Sequence, residues 1–128
     1  MRYSHQRELI LKEVGRRQDY PTAEQICTSL RSECPRLSLG TVYRDLNTLV
    51  EVGMIRRVSI PGKADCFDGR TDIHENFYCR TCGRVLGFSV PADQMRKILD
   101  GGSENQVEDY MLTVFGTCKE CSKKVKRD

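Results

Sequence analysis

Two cysteine pairs carry the strongest chemical signal in the chain: Cys79-Arg80-Thr81-Cys82 followed by Gly83, and Cys118-Lys119-Glu120-Cys121. A two-residue gap lets one tight turn aim both sulfurs at a single ion, and Gly83 suits the tight backbone there. Four thiolates satisfy tetrahedral zinc. Two other readings stand beside it, a redox dithiol and two disulfides. A dithiol of the thioredoxin type expects one such unit next to a βαβ pattern, which the sequence does not present. If cysteine fills all four positions, no coordination site is left for water, so the zinc is structural. Such a site contributes on the order of 10 kcal/mol to folding, enough to let a small, polar half-chain fold. The other three cysteines say less. Cys27 falls on an expected inward helix face, and Cys34 and Cys66 fall in or beside loops, where one could serve as a ligand or an oxidisable thiol.

The second stretch with chemical potential is residues 38–53, SLGTVYRDLNTLVEVG. At about 100° per residue, Leu39, Val42, Leu46, Leu49 and Val50 fall on one apolar face. Thr41, Arg44, Asn47, Thr48 and Glu51 lie opposite, with Tyr43 at the margin. Ser38 can cap the start, and Gly53 can take the left-handed conformation that ends the helix.

These elements need scaffolds. A length of 128 residues fits one compact domain or two very small ones. With 38% hydrophobic residues and no Trp, one large core is not expected, and two small cores need a metal, a disulfide or a partner chain. The net charge of +3 is uneven: residues 1–70 carry 12 Lys/Arg against 9 Asp/Glu, and residues 71–128 carry 9 against 9. Electrostatic attraction to nucleic acid therefore belongs to the first half. No apolar run is long enough to cross a bilayer, and the first six residues lack the apolar core of a signal peptide, so a cytoplasmic protein is expected. In that compartment seven cysteines suggest metal binding or redox chemistry more than structural disulfides. No Ser-His-Asp order, H-E-x-x-H or phosphate loop is present, and no enzyme is expected.

In chain order, residues 4–17 read as a helix with Ser4 as a cap and Ile10, Leu11 and Val14 inward. Asp19-Tyr20-Pro21 breaks it. Thr22 and Gln25 form a capping box for a second helix to about Arg31, with Ala23, Ile26, Cys27 and Leu30 inward. The third helix follows, then residues 54–60 and 66–68 as a β-hairpin around Pro61-Gly62-Lys63-Ala64-Asp65. Three helices and a hairpin make the order of a winged helix-turn-helix. Beyond Gly69, residues 76–80 and 84–90 read as strands around Thr81-Cys82-Gly83. A helix opens with Pro91 at its first position, a third strand covers residues 106–115, and residues 122–128 form a basic, frayed tail.

The order Thr41-Val42-Tyr43-Arg44-x-Leu46, Asp68, His74, Cys79-x-x-Cys82-Gly83 and Cys118-x-x-Cys121 resembles the ferric uptake regulator (Fur) family of bacterial metal-dependent repressors, which includes peroxide- and zinc-sensing members. The resemblance covers nearly the whole chain. It implies an α+β protein with a winged helix-turn-helix DNA-binding domain at residues 1–70 and a small α/β, zinc-stapled dimerisation domain at residues 71–128. It also implies a homodimer on an inverted-repeat double-stranded operator, with structural zinc held by Cys79, Cys82, Cys118 and Cys121. Tyr43 and Arg44 match positions that touch DNA. Arg44 can take a guanine edge bidentately or clamp a phosphate, and Tyr43 can meet a thymine methyl or a phosphate. Ser38 and Thr41 are short donors at the helix start, and Arg56, Arg57 and Lys63 are candidate wing contacts to the backbone.

The family's second, regulatory metal site is thinly represented. Asp68 and His74 match its ligand positions, whereas Tyr20, Asn76, Gly87, Asp109 and Tyr110 stand where other ligands are expected. A reduced site for iron, manganese or zinc would recruit Asp68 and His74, Glu108 or Asp109, and Cys66. The alternative is that Asp68 and His74 form an ordinary polar pair at a hinge. The function expected is a repressor responding to metal or redox state, the latter by oxidation of cysteines that releases zinc and loosens the dimer. The competing reading is a zinc-ribbon-like interaction or RNA-binding module without metal sensing.

Overall fold

A computed structural model describes residues 5–125. The expected cap at Ser4 and the last three residues of the expected tail lie outside the described residues. The chain divides into two compact units, Met1–Asp72 and Ile73–Asp128.

The first unit holds α1 (His5–Arg16), α2 (Ala23–Leu30), α3 (Leu39–Glu51), β1 (Arg56–Val58) and β2 (Cys66–Asp68). Its core is the inward stripe of each helix: Ile10 and Val14 of α1, Ile26 and Leu30 of α2, and Val42, Leu46 and Leu49 of α3, closed by Phe67 of β2. Thr22 and Gln25 make the expected capping box at α2, each side chain bonded to the other's backbone N–H. At α3, Ser38 accepts from the Thr41 N–H, and Gly53 ends the helix at φ +78°. The antiparallel β1–β2 pair sets Arg56 opposite Asp68 and Val58 opposite Cys66. The link between α1 and α2 joins this sheet, because the Phe67 N–H donates to the Pro21 carbonyl at 2.9 Å and Thr22 bridges Cys66. To make that turn, Tyr20 takes φ +56°, which is unusual for a residue with a Cβ.

The second unit holds β3 (Glu75–Cys79), β4 (Val85–Gly87), α4 (Ala92–Gly101), β5 (Leu112–Gly116) and α5 (Lys119–Val125). Its sheet has the order β4-β3-β5, with β3 antiparallel to β4 and parallel to β5. The return to a parallel strand runs through α4, the kind of long crossover such pairing requires.

Several boundaries differ from expectation. Strand β5 is half the expected length, because β3 offers partners only from Glu75, opposite Leu112, to Cys79, opposite Gly116. Residues 106–111 have no strand neighbour there, and Val107 and Met111 are exposed. Pro91 caps α4 instead of opening it. The expected frayed tail is ordered through Val125 as α5, which carries Cys121.

Candidate metal centre and nucleic-acid interface

The parallel β3–β5 pairing brings the two cysteine pairs together. Cys79 ends β3 opposite Gly116 of β5, and Cys118 follows two residues later. Gly83, at φ +78°, closes the turn that returns Cys82 toward Cys79, with its N–H on the Cys79 carbonyl at 2.8 Å. Cys121 completes the set from the first turn of α5. All four sulfurs lie within 4.8 Å of one another, and those of Cys82 and Cys118 are 3.9 Å apart. Tetrahedral zinc with Zn–S bonds of about 2.3 Å needs sulfurs about 3.8 Å apart. The donor set and its spacing fit structural zinc.

The electrostatics point the same way. Backbone N–H groups of Cys82 and Cys118 donate to the Cys79 sulfur at 3.5 and 3.3 Å. Those bonds pull the Cys79 thiol down to about 6, and the Cys121 N–H lowers Cys118 in the same manner. Cys121, facing the other sulfurs and bonded first to Cys118, is pushed up to about 12. Four thiols this close cannot all ionise unaided, and a divalent cation relieves that repulsion. Arg84 adds a fixed positive charge: Nε lies 3.4 Å from the Cys82 sulfur, and Nη2 lies 3.6 Å from that of Cys118 and 3.3 Å from Glu120. Sequence reasoning missed Arg84. Its place two residues beyond Cys82 was the one available signal.

On α3 the outward side is polar. Tyr43, Arg44 and Asn47 are exposed, and Ser38 is exposed at the N-terminus. The Ser38 hydroxyl donates to the Thr41 hydroxyl at 2.9 Å, and Arg44 Nη2 donates to the same Thr41 oxygen at 3.2 Å, which steers the guanidinium toward the start of the helix. Arg57 donates to the Asn47 side chain, pairs with Asp65 at 3.4 Å and lies over the Phe67 ring, so it links hairpin to helix. Lys63 is exposed at the hairpin turn.

Arg56 is placed otherwise than expected. Its guanidinium turns inward to Asp68 at 2.7 Å and to the Arg70 carbonyl at 2.8 Å, and does not reach out as a wing contact. Asp68 differs as well. It is buried, and Arg70 holds it at 3.0 Å from the other side, so guanidiniums engage both oxygens and set positive charge where a metal ion would sit. Cys66 is no readier, since burial and the charge of Asp65 push its thiol up. In the second unit, His74 pairs with Asp109 at 3.4 Å, packs against Tyr110 and borders an open cavity of about 310 Å³ that Glu108 also lines. Among the described residues, the four cysteines alone form a group of three or more metal-ligating side chains. The residues expected for a second metal do not fit one.

The chain matches the model of the ferric uptake regulator family over residues 1–115. It belongs to the ferric uptake regulator family. It is 30% identical over 125 residues to the peroxide operon regulator of Bacillus subtilis, spanning 97% of this chain and 86% of that one. Its fold is similar to that of the Helicobacter pylori ferric uptake regulator Fur, a protein with three functional metal binding sites (TM-score 0.82, 23% identity, 95% of this chain and 83% of that chain). It is also similar to the Campylobacter jejuni peroxide stress regulator (TM-score 0.75, 27% identity, 91% and 88%). Like other members of the Fur family, the chain is a transcriptional regulator and not an enzyme. Members bind DNA and act as dimers, with an N-terminal DNA-binding and a C-terminal dimerisation domain. The Fur match ends before Cys118, so the second cysteine pair is assigned from its geometry.

Proposed function

We propose that this chain is a homodimeric repressor that reads an inverted-repeat operator through α3. The observation that carries the reading is the outer side of that helix, which presents Tyr43, Arg44 and Asn47 behind a start lined by Ser38 and Thr41. A helix seated in the major groove reads bases with its N-terminal residues, and its amide dipole favours phosphate there. Arg44 is the base or phosphate reader, Tyr43 flanks it, and Lys63 and Arg57 contact the backbone from the hairpin. Residues 1–70 are the DNA-binding domain.

Residues 71–128 form the dimer. Met111 is 70% exposed and Ile98 64% exposed, with Val107 and Phe115 also open to solvent. So much apolar surface on a unit this small supports a partner copy. Two copies of α3, related by a two-fold axis, read half-sites about one helical turn apart, so the operator is palindromic. Such a repressor works in the cytoplasm, where its operator is.

Selection of zinc-loaded protein against random duplex DNA tests this reading. Enrichment of an inverted repeat is the expected result. Selection of no duplex, with capture of structured RNA instead, would replace it with the RNA-binding module.

A further inference from the structure

Asp68 is the carboxylate that the Fur resemblance offers to a second metal, yet its surroundings are those of an anion already neutralised. The residue is 1% exposed. Arg56 donates to Oδ2 from Nη2 at 2.7 Å and from Nε at 3.1 Å. Arg70 Nε donates to Oδ1 at 3.0 Å and to Oδ2 at 3.2 Å. The Tyr20 ring lies within 5.8 Å of the Arg56 guanidinium and 5.3 Å of that of Arg70, so its π-face serves both cations.

One carboxylate against two guanidiniums leaves the cluster net positive. A divalent ion bonded to an Asp68 oxygen at about 2.0–2.2 Å would displace charge-assisted hydrogen bonds and sit beside two fixed cations. The unmet bonding capacity of Arg70 also has the wrong polarity. Its Nη2 is buried with no partner among the described residues, and that nitrogen offers only hydrogens, whereas a metal needs lone pairs. Tyr20 occupies its place through a left-handed backbone at φ +56°, so the cluster is built into the turn ahead of α2.

We infer that the Arg56–Arg70 guanidinium pair stands in for a second divalent ion at Asp68, so that the zinc-loaded protein binds its operator without further metal. The operator half of this inference rests on the DNA-binding reading above; the metal half does not. Three measurements on the full chain with its zinc retained test it. First, titration with Mn²⁺, Fe²⁺ under anaerobic conditions, or Zn²⁺ should show no submicromolar equivalent beyond the structural zinc. A second equivalent that disappears in Asp68→Asn overturns the inference. Second, affinity for the selected operator should be the same in citrate, which clears loosely held metal, as in added metal; an increase with any of the three ions overturns it. Third, in citrate, Asp68→Asn should lower the Tm of the first unit by on the order of 10 °C, because two guanidiniums lose their anion. If Asp68 only awaits an ion, the same substitution leaves Tm unchanged or raises it, and the inference fails. Enrichment of no DNA defeats the repressor reading, and the titration and melting arms still decide the cation question.

Discussion

Arg7 of α1 and Asp45 of α3 meet beneath the reading helix: Nε and Nη2 of the arginine each lie 3.3 Å from the same carboxylate oxygen. Asp45 is 4% exposed, and its second oxygen has no partner among the described residues. The pair ties α1 to the helix that carries Arg44. Both contacts are longer than the 2.7–2.9 Å of a strong N⁺–H···O⁻ bond, which puts their worth low in the range for charged hydrogen bonds. Arg7→Ala should therefore lower the unfolding free energy by about 2 kcal/mol, seen as a lower denaturant midpoint with an unchanged slope. Asp45→Asn, which keeps the shape and removes the charge, should cost less. An unmoved midpoint in Arg7→Ala would show that the pair contributes nothing to holding α3.

Operator binding should separate Arg44 from Lys63. Arg44→Ala should cost about 1–3 kcal/mol of specific binding and relax preference at one base position, whereas Lys63→Ala should weaken all duplexes alike and reduce the salt slope by about one. Titrations at several salt concentrations distinguish the two. Arg56→Lys is expected to act through folding and not through the salt slope, because its guanidinium is bound to Asp68. A changed slope in that variant, with an unchanged melting temperature, would return Arg56 to the interface.

Zinc loading should depend on pH with a definite sign. The Cys79 thiol lies at about 6 and the Cys121 thiol at about 12. Binding must therefore remove protons, that of Cys121 among them, and acid must oppose it. Proton release on zinc addition, and loss of zinc on acidification, are the expected observations. Cys118→Ser should lose the ion and, with it, the cooperative unfolding of the second unit. Retention of one full zinc equivalent in that variant would mean that the four sulfurs are not the site.

Glu13 makes the first unit acid-sensitive. It is buried in α1, accepts from Arg16 at 2.7 Å and from Ser29 at 2.6 Å. Burial alone would raise its pKa, but the Ser29 hydroxyl and the Arg16 guanidinium outweigh burial and hold it below the ordinary 4.5. A carboxylate whose folded pKa is depressed stabilises the fold above its unfolded pKa, and the benefit goes as pH falls through the folded value. Melting temperature should thus fall on acidification below 4.5, and Glu13→Gln should be less stable at neutral pH but flatter through that range. Parallel curves for the two proteins would place the acid sensitivity elsewhere.

Capping and periodicity are local, and they made much of the first unit legible. Thr22, Gln25, Ser38 and Gly53 act within a few residues of where they stand, so their types announce the helix ends. The four cysteines were legible because thiolates at that spacing have few other uses. Arg56 was not legible. A strand residue faces solvent or its cross-strand neighbour according to register, and only the pairing of β1 with β2 sets it opposite Asp68. Asp45 and Glu13 fall on buried helix faces because Arg7 neutralises the one from another helix and the Ser29 hydroxyl, beside Arg16, donates to the other; the Arg7 and Ser29 contacts are tertiary facts that no window of sequence contains. The length of β5 was misread for the same reason: alternation in residues 106–115 shows what could pair, not how far β3 extends.

The parallel union of β3 with β5 also sets when the metal can be captured. The sulfurs of Cys82 and Cys118 stand 36 positions apart in sequence. Before β5 has crossed back, each pair is only a two-sulfur chelate on a mobile chain, and closing so long a loop carries an entropic cost that local turns do not. The ion therefore works as a clasp across that loop, and its binding free energy offsets the cost of closing it.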